Sequence, residues 1–234
     1  MSAGRPTFRQ LPLDLATAGR QAREDLVVGA SNAAAVALID GWPDWPAPVV
    51  VLAGPSGAGK SHMGAVWRVR SGAAVVTPGH IGEAALEAAT QGPVFIDDAD
   101  AGVIDEEGLF HLINAVRGAG THLLMTARRF PVSWPVALAD LRSRLKAAAL
   151  VEIGEPDDAL LAAIMVKLFA DRQVEVEPHV IDFIVRRIER SIATAIAVVE
   201  RLDRLALERK SRISRALAGE VVSVLDAGQG ALDF

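Results

Sequence analysis

Eight residues, Gly54-Pro55-Ser56-Gly57-Ala58-Gly59-Lys60-Ser61, carry the spacing G-x-x-x-x-G-K-[ST] in full. Residue types in this order hold a polyphosphate. The glycines let backbone N–H groups curl around an anion without Cβ clashes. Lys60 supplies a point charge for the β- and γ-phosphates, and the Ser61 hydroxyl suits a Mg²⁺ ligand. The loop follows an apolar run, Val49 to Ala53, and opens a helix whose positive end faces the anion. That context separates it from an ordinary glycine-rich turn.

Val94-Phe95-Ile96-Asp97-Asp98 is a second such pattern, apolar residues followed by two carboxylates. Beside a phosphate loop it reads as the acidic strand end known as Walker B. Asp97 is expected to hold Mg²⁺, directly or through water, and Asp98 to polarise the attacking water. Thr126 ends a later apolar run, next to where a γ-phosphate sits. It reads equally as a sensor of that phosphate (sensor 1) and as a buried strand-end threonine. In Leu141-Arg142-Ser143-Arg144-Leu145, Arg144 reads as an arginine finger, a side chain that stabilises transition-state charge on a partner's nucleotide. Such fingers are worth about 10³–10⁵ in rate. A surface arginine at a helix end is the plainer alternative. Arg128 and Arg129 follow Thr126 and suit either a neighbouring subunit or solvent. His111 reads as exposed or capping, and Trp42, Trp45, Trp67 and Trp134 as packing residues.

These residues need a sheet to position them. Short apolar runs at Val49–Ala53, Ala73–Thr77, Pro93–Asp97, His122–Thr126 and Leu150–Ile153 predict strands. Helical patterns separate them: Ala33–Asp40 capped by Ser31-Asn32, a helix from Ser61, Ile81–Thr90, Asp105–Arg117 and one after Pro135. Alternating strands and helices predict an α/β domain with a parallel sheet, with one strand inserted between Walker A and Walker B. After Pro156 the strands stop. Asp157–Asp171, Pro178–Arg190, Ile192–Arg209 and Ser214–Leu225 read as helices of a small α-helical lid. The expected division is an extended arm over 1–23, a nucleotide-binding domain over 24–154 and the lid over 155–234.

Composition narrows the function classes. The 234 residues are 51% hydrophobic and contain no cysteine, which excludes disulfides and a Cys-ligated zinc. No apolar run approaches a membrane span and Met1 to Leu15 has no apolar core of a secretory signal, so a cytoplasmic protein is expected. The net charge of −5 argues against strong autonomous DNA binding. Nine basic and four acidic residues between Arg186 and Arg215 read as a solvated helix face laced with i,i+4 pairs, or as a surface facing DNA or a protein.

Taken together, the phosphate loop, Phe95-Ile96-Asp97-Asp98, Phe110-His111-Leu112-Ile113-Asn114 and Leu141-Arg142-Ser143-Arg144 resemble the AAA+ module of the DnaA replication-initiator family, over about Asp25 to Leu225. Val27-Val28-Gly29-Ala30-Ser31-Asn32 resembles that family's entry to the adenine pocket, which makes Val28 a nucleotide contact. Only Ala216 to Phe234 follows the basic stretch, too short for the family's helix-turn-helix DNA-binding domain. The arm carries Gln10-Leu11-Pro12-Leu13-Asp14-Leu15, which looks like a peptide that docks into the sliding-clamp pocket. In such a peptide a glutamine reaches polar groups while spaced leucines, here Leu11, Leu13 and Leu15, fill an apolar cleft.

Both features are similar to the Hda-type branch of the family. The resemblance implies a protein that holds ADP or ATP with Mg²⁺, sits on the DNA polymerase sliding clamp (the beta subunit) and stimulates hydrolysis of DnaA-bound ATP, repressing re-initiation. Gln10, Leu11, Leu13 and Leu15 would then bind the clamp, and Arg144 would act in trans on DnaA. One departure stands out. Ala193 occupies the place of the family's sensor 2 arginine, which implies weak or absent ATPase activity of the chain itself. The alternative is an autonomous DnaA-like ATPase or helicase loader acting on DNA.

Overall fold

The computed structural model describes residues 22–229. Runs that are apolar on both faces become the central strands. Val49–Ala53 (β1), Val94–Ile96 (β3) and Leu123–Ala127 (β4) are buried at every position, which suits a parallel sheet covered on both sides. The partly exposed Ala74–Val75 (β2) and Ala149–Glu152 (β5) take the edges. The order is β2-β3-β4-β1-β5, with every neighbouring pair parallel. In register, Leu52 stands beside Thr126 and Val151, and Ile96 beside Met125. β2 follows β1 in sequence but joins the sheet beyond β3, so β4 separates the two strands that carry the phosphate loop and the acidic pair.

Helices cover both faces: Ala33–Asp40 (α1), Lys60–Ser71 (α2), Glu83–Gln91 (α3), Glu106–Ala119 (α4) and Ala139–Lys146 (α5). The pleat of the strands divides the core in two. Val50, Leu52, Phe95 and Leu124 pack with Met63 and Trp67 of α2 and Ile39 of α1. Val49, Val51, Ile96 and Met125 pack with Leu112 of α4 and Leu141 of α5. Successive residues of β1 and β4 thus alternate between faces, as period-two side-chain geometry requires. The tryptophans serve this packing. Trp67 is fully buried, stacked on Trp45 with ring centroids 5.1 Å apart, and Trp134 donates its indole N–H to the Arg129 carbonyl at 2.8 Å.

Four further helices, Asp158–Asp171 (α6), Pro178–Val185 (α7), Ile192–Arg209 (α8) and Arg215–Gln229 (α9), build a separate core around Leu161, Phe169, Ile184, Val198 and Leu202. The chain enters α6 and α8 through side-chain caps: Asp157 accepts from the Leu160 amide at 2.7 Å and Ser191 from the Thr194 amide at 3.2 Å. The periodicity predicts α7 as far as Arg190, but it ends at Val185. A tight bond from the Arg187 amide to the Ile184 carbonyl closes the last turn, and Ser191 must be extended to cap α8. The expected cap of α1 also differs. Asn32 turns its carbonyl oxygen back to the Gly29 amide, at 2.8 Å, and caps nothing ahead of it. The ion pairs of the basic helices run between helices: Arg209 to Glu220 at 2.6 Å and Arg172 to Asp203 at 3.6 Å. Among the described residues no helix is long and apolar enough to cross a membrane.

Candidate nucleotide site

The phosphate loop grows out of β1. Its first residue continues the ladder, with the Gly54 amide donating to the Ala127 carbonyl at 3.2 Å. A Cβ on Gly54 would overlap the Ile153 carbonyl oxygen, so the glycine is needed for backbone to pass backbone. Gly57 adopts φ +74°, and its carbonyl accepts from the Ile192 amide at 2.8 Å, which joins the loop to the first residue of α8. Lys60, 5% exposed at the start of α2, turns its ammonium into the loop, 2.8 Å from the Gly54 carbonyl and 2.7 Å from the Pro55 carbonyl. Burial lowers the Lys60 pKa. The negative charges of Asp98, Asp100 and Asp97 oppose that, and the Arg128 guanidinium adds to it. Ser61 lies exposed at the helix start.

The acidic pair leaves β3 beside this loop. Asp98 has φ +48°, a conformation that costs a non-glycine residue about 1–3 kcal/mol and persists only where surroundings impose it. Thr126 imposes it. Its hydroxyl accepts from the Asp98 amide at 2.8 Å and donates to Asp97 Oδ1, and its carbonyl accepts from the Ala99 amide at 2.7 Å. Thr126 is therefore a fully buried residue that touches both acids.

Asp100 is a site residue that the sequence pattern did not single out. It is buried, accepts from the Arg128 amide at 2.9 Å and the Arg129 amide at 3.0 Å, and pairs with Arg129 Nε at 3.2 Å. It ties the loop after β3 to the loop after β4, and Arg129, though exposed, is a structural partner of that tie. A third acid two residues beyond Asp98 is visible in the sequence, but nothing local pairs it with Arg128 and Arg129.

The segment from Val27 to Asn32, which the resemblance places beside the base, is shaped by Asn32, which also donates to the Val27 carbonyl at 2.9 Å. Gly154 donates to the Ser31 carbonyl at 2.9 Å, and Lys167 of α6 pairs with Asp25 at 3.4 Å. Val28 stands 52% exposed on this segment. Ala193 is the second residue of α8 and carries no charge to the loop. The neighbouring lid arginines are engaged elsewhere: Arg190 with Asp158 at 3.3 Å, and Arg187 over the Phe183 ring at 3.9 Å.

Arg144 sits half-buried in the last turn of α5. The turn after it leads straight into β5, whose first residue, Ala149, stands beside Val50. The strands are parallel, so β5 begins four residues back along the sheet from Gly54, roughly 13 Å at about 3.3 Å per residue. Residues Gln10, Leu11, Leu13 and Leu15 lie outside the described residues.

The donor set fits a polyphosphate. Lys60 is a buried cation whose hydrogen-bond partners among the described residues are neutral carbonyls, and phosphate oxygens would suit it as charged acceptors. Among the described residues no group of three His, Cys, Asp or Glu side chains holds a metal by itself. A Mg²⁺ ion held by Ser61 and Asp97 would need phosphate oxygens to complete its ligands.

No family model matches the chain. It is 30% identical over 122 residues to the chromosomal replication initiator protein DnaA of Thermomicrobium roseum, covering 52% of this chain and 26% of that protein. It is 29% identical over 120 residues to the DnaA of Cutibacterium acnes, covering 51% and 24%. The matched segment thus spans about a quarter of the length of these relatives. Among solved structures, domain III of Thermotoga maritima DnaA superposes with a TM-score of 0.73 at 16% identity, over 88% of this chain and 96% of that one. The Thermotoga maritima branch-migration motor RuvB gives 0.65 at 20% identity, over 85% and 70%. A DnaA bound to AMPPCP and single-stranded DNA gives 0.65 at 19%, over 82% and 68%. The chain has the AAA+ fold shared with DnaA domain III and RuvB, and a DnaA-like sequence over half of its length.

Proposed function

We propose that this chain is a DnaA-like AAA+ regulator that holds ADP or ATP with Mg²⁺ and stimulates hydrolysis of DnaA-bound ATP, so repressing re-initiation of replication. The sliding clamp is its tether, engaged by Gln10, Leu11, Leu13 and Leu15. Gly54, Pro55, Ser56, Gly57, Ala58, Gly59, Lys60 and Ser61 embrace the phosphates, and Val28 borders the base. Ser61 and Asp97 hold the metal, which neutralises charge on the β- and γ-phosphates when bound. The observation that carries the reading is the position of Arg144. It lies in the last turn of α5, on the segment that leads into β5, and β5 begins roughly 13 Å back along the sheet from the chain's own phosphate loop. An arginine on a helix that enters the sheet at the end away from the loop suits a nucleotide bound to a neighbour.

The test is hydrolysis of DnaA-bound ATP in the presence of clamp loaded on DNA. The full chain should accelerate it. Arg144→Ala should abolish the acceleration while clamp binding persists, and Gln10→Ala/Leu11→Ala should abolish clamp binding. Acceleration unaffected by either change overturns the reading.

A second reading, an autonomous ATPase or helicase loader, is supported by the Asp97–Thr126–Asp98 arrangement, in which both acids are fixed beside the loop. Steady turnover by the isolated chain, lost in Asp98→Asn, would favour it.

A further inference from the structure

The chain meets the lid before it enters the sheet. Gly29 lies against the side chain of Leu160 near the start of α6, and the Asp25 carboxylate pairs with Lys167, two turns further along the same helix, at 3.4 Å. Between them Val27 packs on the lid core. Residues 25–29 thus lie along α6, and followed backwards they approach its C-terminal end. Ala22, the first described residue, is tied to the same place, its amide donating to Asp25 Oδ2 at 3.1 Å.

That end of α6 carries an apolar groove of about 390 Å³. Phe169 and Ile181 are its buried residues, the exposed Val166 and Ala170 line it from α6, and the half-buried Val174 and Val176 line it from the segment between α6 and α7. On the helical wheel Ala170 stands roughly 60° from Lys167, so the ion pair that holds the root of the arm flanks the groove. Val166 is 53% exposed, and covering such a patch is favourable.

The arm has the reach and the composition to cover it. Leu15 precedes Ala22 by seven residues, which span at most roughly 23 Å, and the 14 residues of α6 extend only about 21 Å. Leu11, Leu13 and Leu15 alternate along the sequence, the spacing with which a peptide bound in an extended form puts every leucine into one cleft. The charges agree. Residues 1–21 carry Arg5, Arg9 and Arg20 against Asp14 alone. Glu175 lines the groove and Glu177 follows it, both exposed and neither in an ion pair among the described residues.

We propose that this groove is the docking site of the chain's own segment 11–15. The tether reading uses the same three leucines, so a docked arm cannot hold a clamp, and lid and clamp compete for it. The competition rests on that reading, and the docking does not.

The chain has no cysteine, so Ala16→Cys takes a single nitroxide label beside the leucines. In the full chain the label should give an immobilised component in its electron paramagnetic resonance spectrum. That component should be lost with Val166→Asp, with Ala170→Asp, and with Leu11→Ala/Leu13→Ala. Groove and arm changes combined should release no more than either alone, as for two sides of one contact. Both groove positions are exposed, so the melting temperature should move by no more than about 2 °C. A label that is mobile without these changes, or that stays immobilised in both groove variants, overturns the docking. So does an immobilised component that vanishes on dilution, which would put the arm on a second copy. In the unlabelled chain Val166→Asp should tighten binding to the sliding clamp by about threefold to tenfold, because apparent affinity scales with the fraction of arm that is free. Unchanged clamp affinity overturns the competition. A chain that binds no clamp in either form, with the immobilised component intact, overturns the tether and leaves the docking standing.

Discussion

The amide of Ile192 donates to the carbonyl of Gly57 at 2.8 Å, so the helix α8 starts on the phosphate loop itself. A Cβ on Gly57 would overlap the Oγ of Ser191, and φ +74° is unfavourable for any L side chain. Gly57→Ala should therefore destabilise the protein even without nucleotide. The backbone alone costs about 1–2 kcal/mol, and at this chain length each kcal/mol lowers Tm by about 2–4 °C. An unchanged melting temperature would mean that the lid does not rest on the loop in solution.

Thr126 is the hinge of the acidic pair. Thr126→Val keeps the shape but leaves the Asp98 amide without its acceptor and Asp97 without its donor. An unsatisfied buried group costs about 1–3 kcal/mol. The functional consequence is sharper: with Asp97 no longer oriented, Mg²⁺ should add little to nucleotide affinity. Titrations with and without Mg²⁺ test this. Thr126→Ser, which keeps the hydroxyl, should behave as wild type. A valine variant with full Mg²⁺ dependence would leave Thr126 a packing residue.

Most of the fold was legible because strands buried on both faces must be apolar throughout, and β1, β3 and β4 announce themselves that way. The phosphate loop was legible because its chemistry demands glycine and lysine at fixed spacing. What escaped depended on contacts far apart in sequence. Asp100 meets Arg128 and Arg129 across 28 and 29 residues, and no local pattern marks it as more than an acidic turn. At Asn32 a forward cap and a backward-reaching side chain look alike in sequence, and only the fold separates them. The early end of α7 follows from Ser191, which cannot cap α8 and continue α7 together.

Asp105 caps α4 and also reaches back to the loop after β2. Its carboxylate accepts from the Ile81 amide and the Gly108 amide, both at 2.9 Å, and these two bonds hold its pKa below the ordinary aspartate value. A group whose folded pKa is depressed stabilises fully above its unfolded pKa and ceases to do so as pH falls through the folded one. Asp105→Ala should thus cost about 1–2 kcal/mol at pH 7. The gap between variant and wild type should close progressively below about pH 4. Denaturation curves at pH 7 and pH 3 measure it, and an equal gap at both would show that the bonds do not depend on the charge.

Glu106, the first residue of α4, reaches the start of α5. Its carboxylate accepts from the Ala137 amide at 3.0 Å and the Leu138 amide at 2.6 Å, and Leu138 is the residue from which α5 begins. These bonds lower the Glu106 pKa and orient the helix that carries Arg144. If Arg144 acts on a partner's nucleotide, two variants should separate touching from orienting. Arg144→Ala should remove stimulation of the partner's hydrolysis by about 10³ or more. Glu106→Ala leaves the guanidinium present but loosens its helix, and a displacement of about 1 Å can cost up to roughly 10². Its defect should be smaller, and Glu106→Gln, which keeps one acceptor oxygen, should fall between it and wild type. Neither residue lies at the chain's own phosphate loop, so both variants should bind nucleotide as wild type does. A Glu106→Ala protein that stimulates fully would show that α5 needs no such anchor. An Arg144→Ala protein that stimulates fully would remove the trans role altogether.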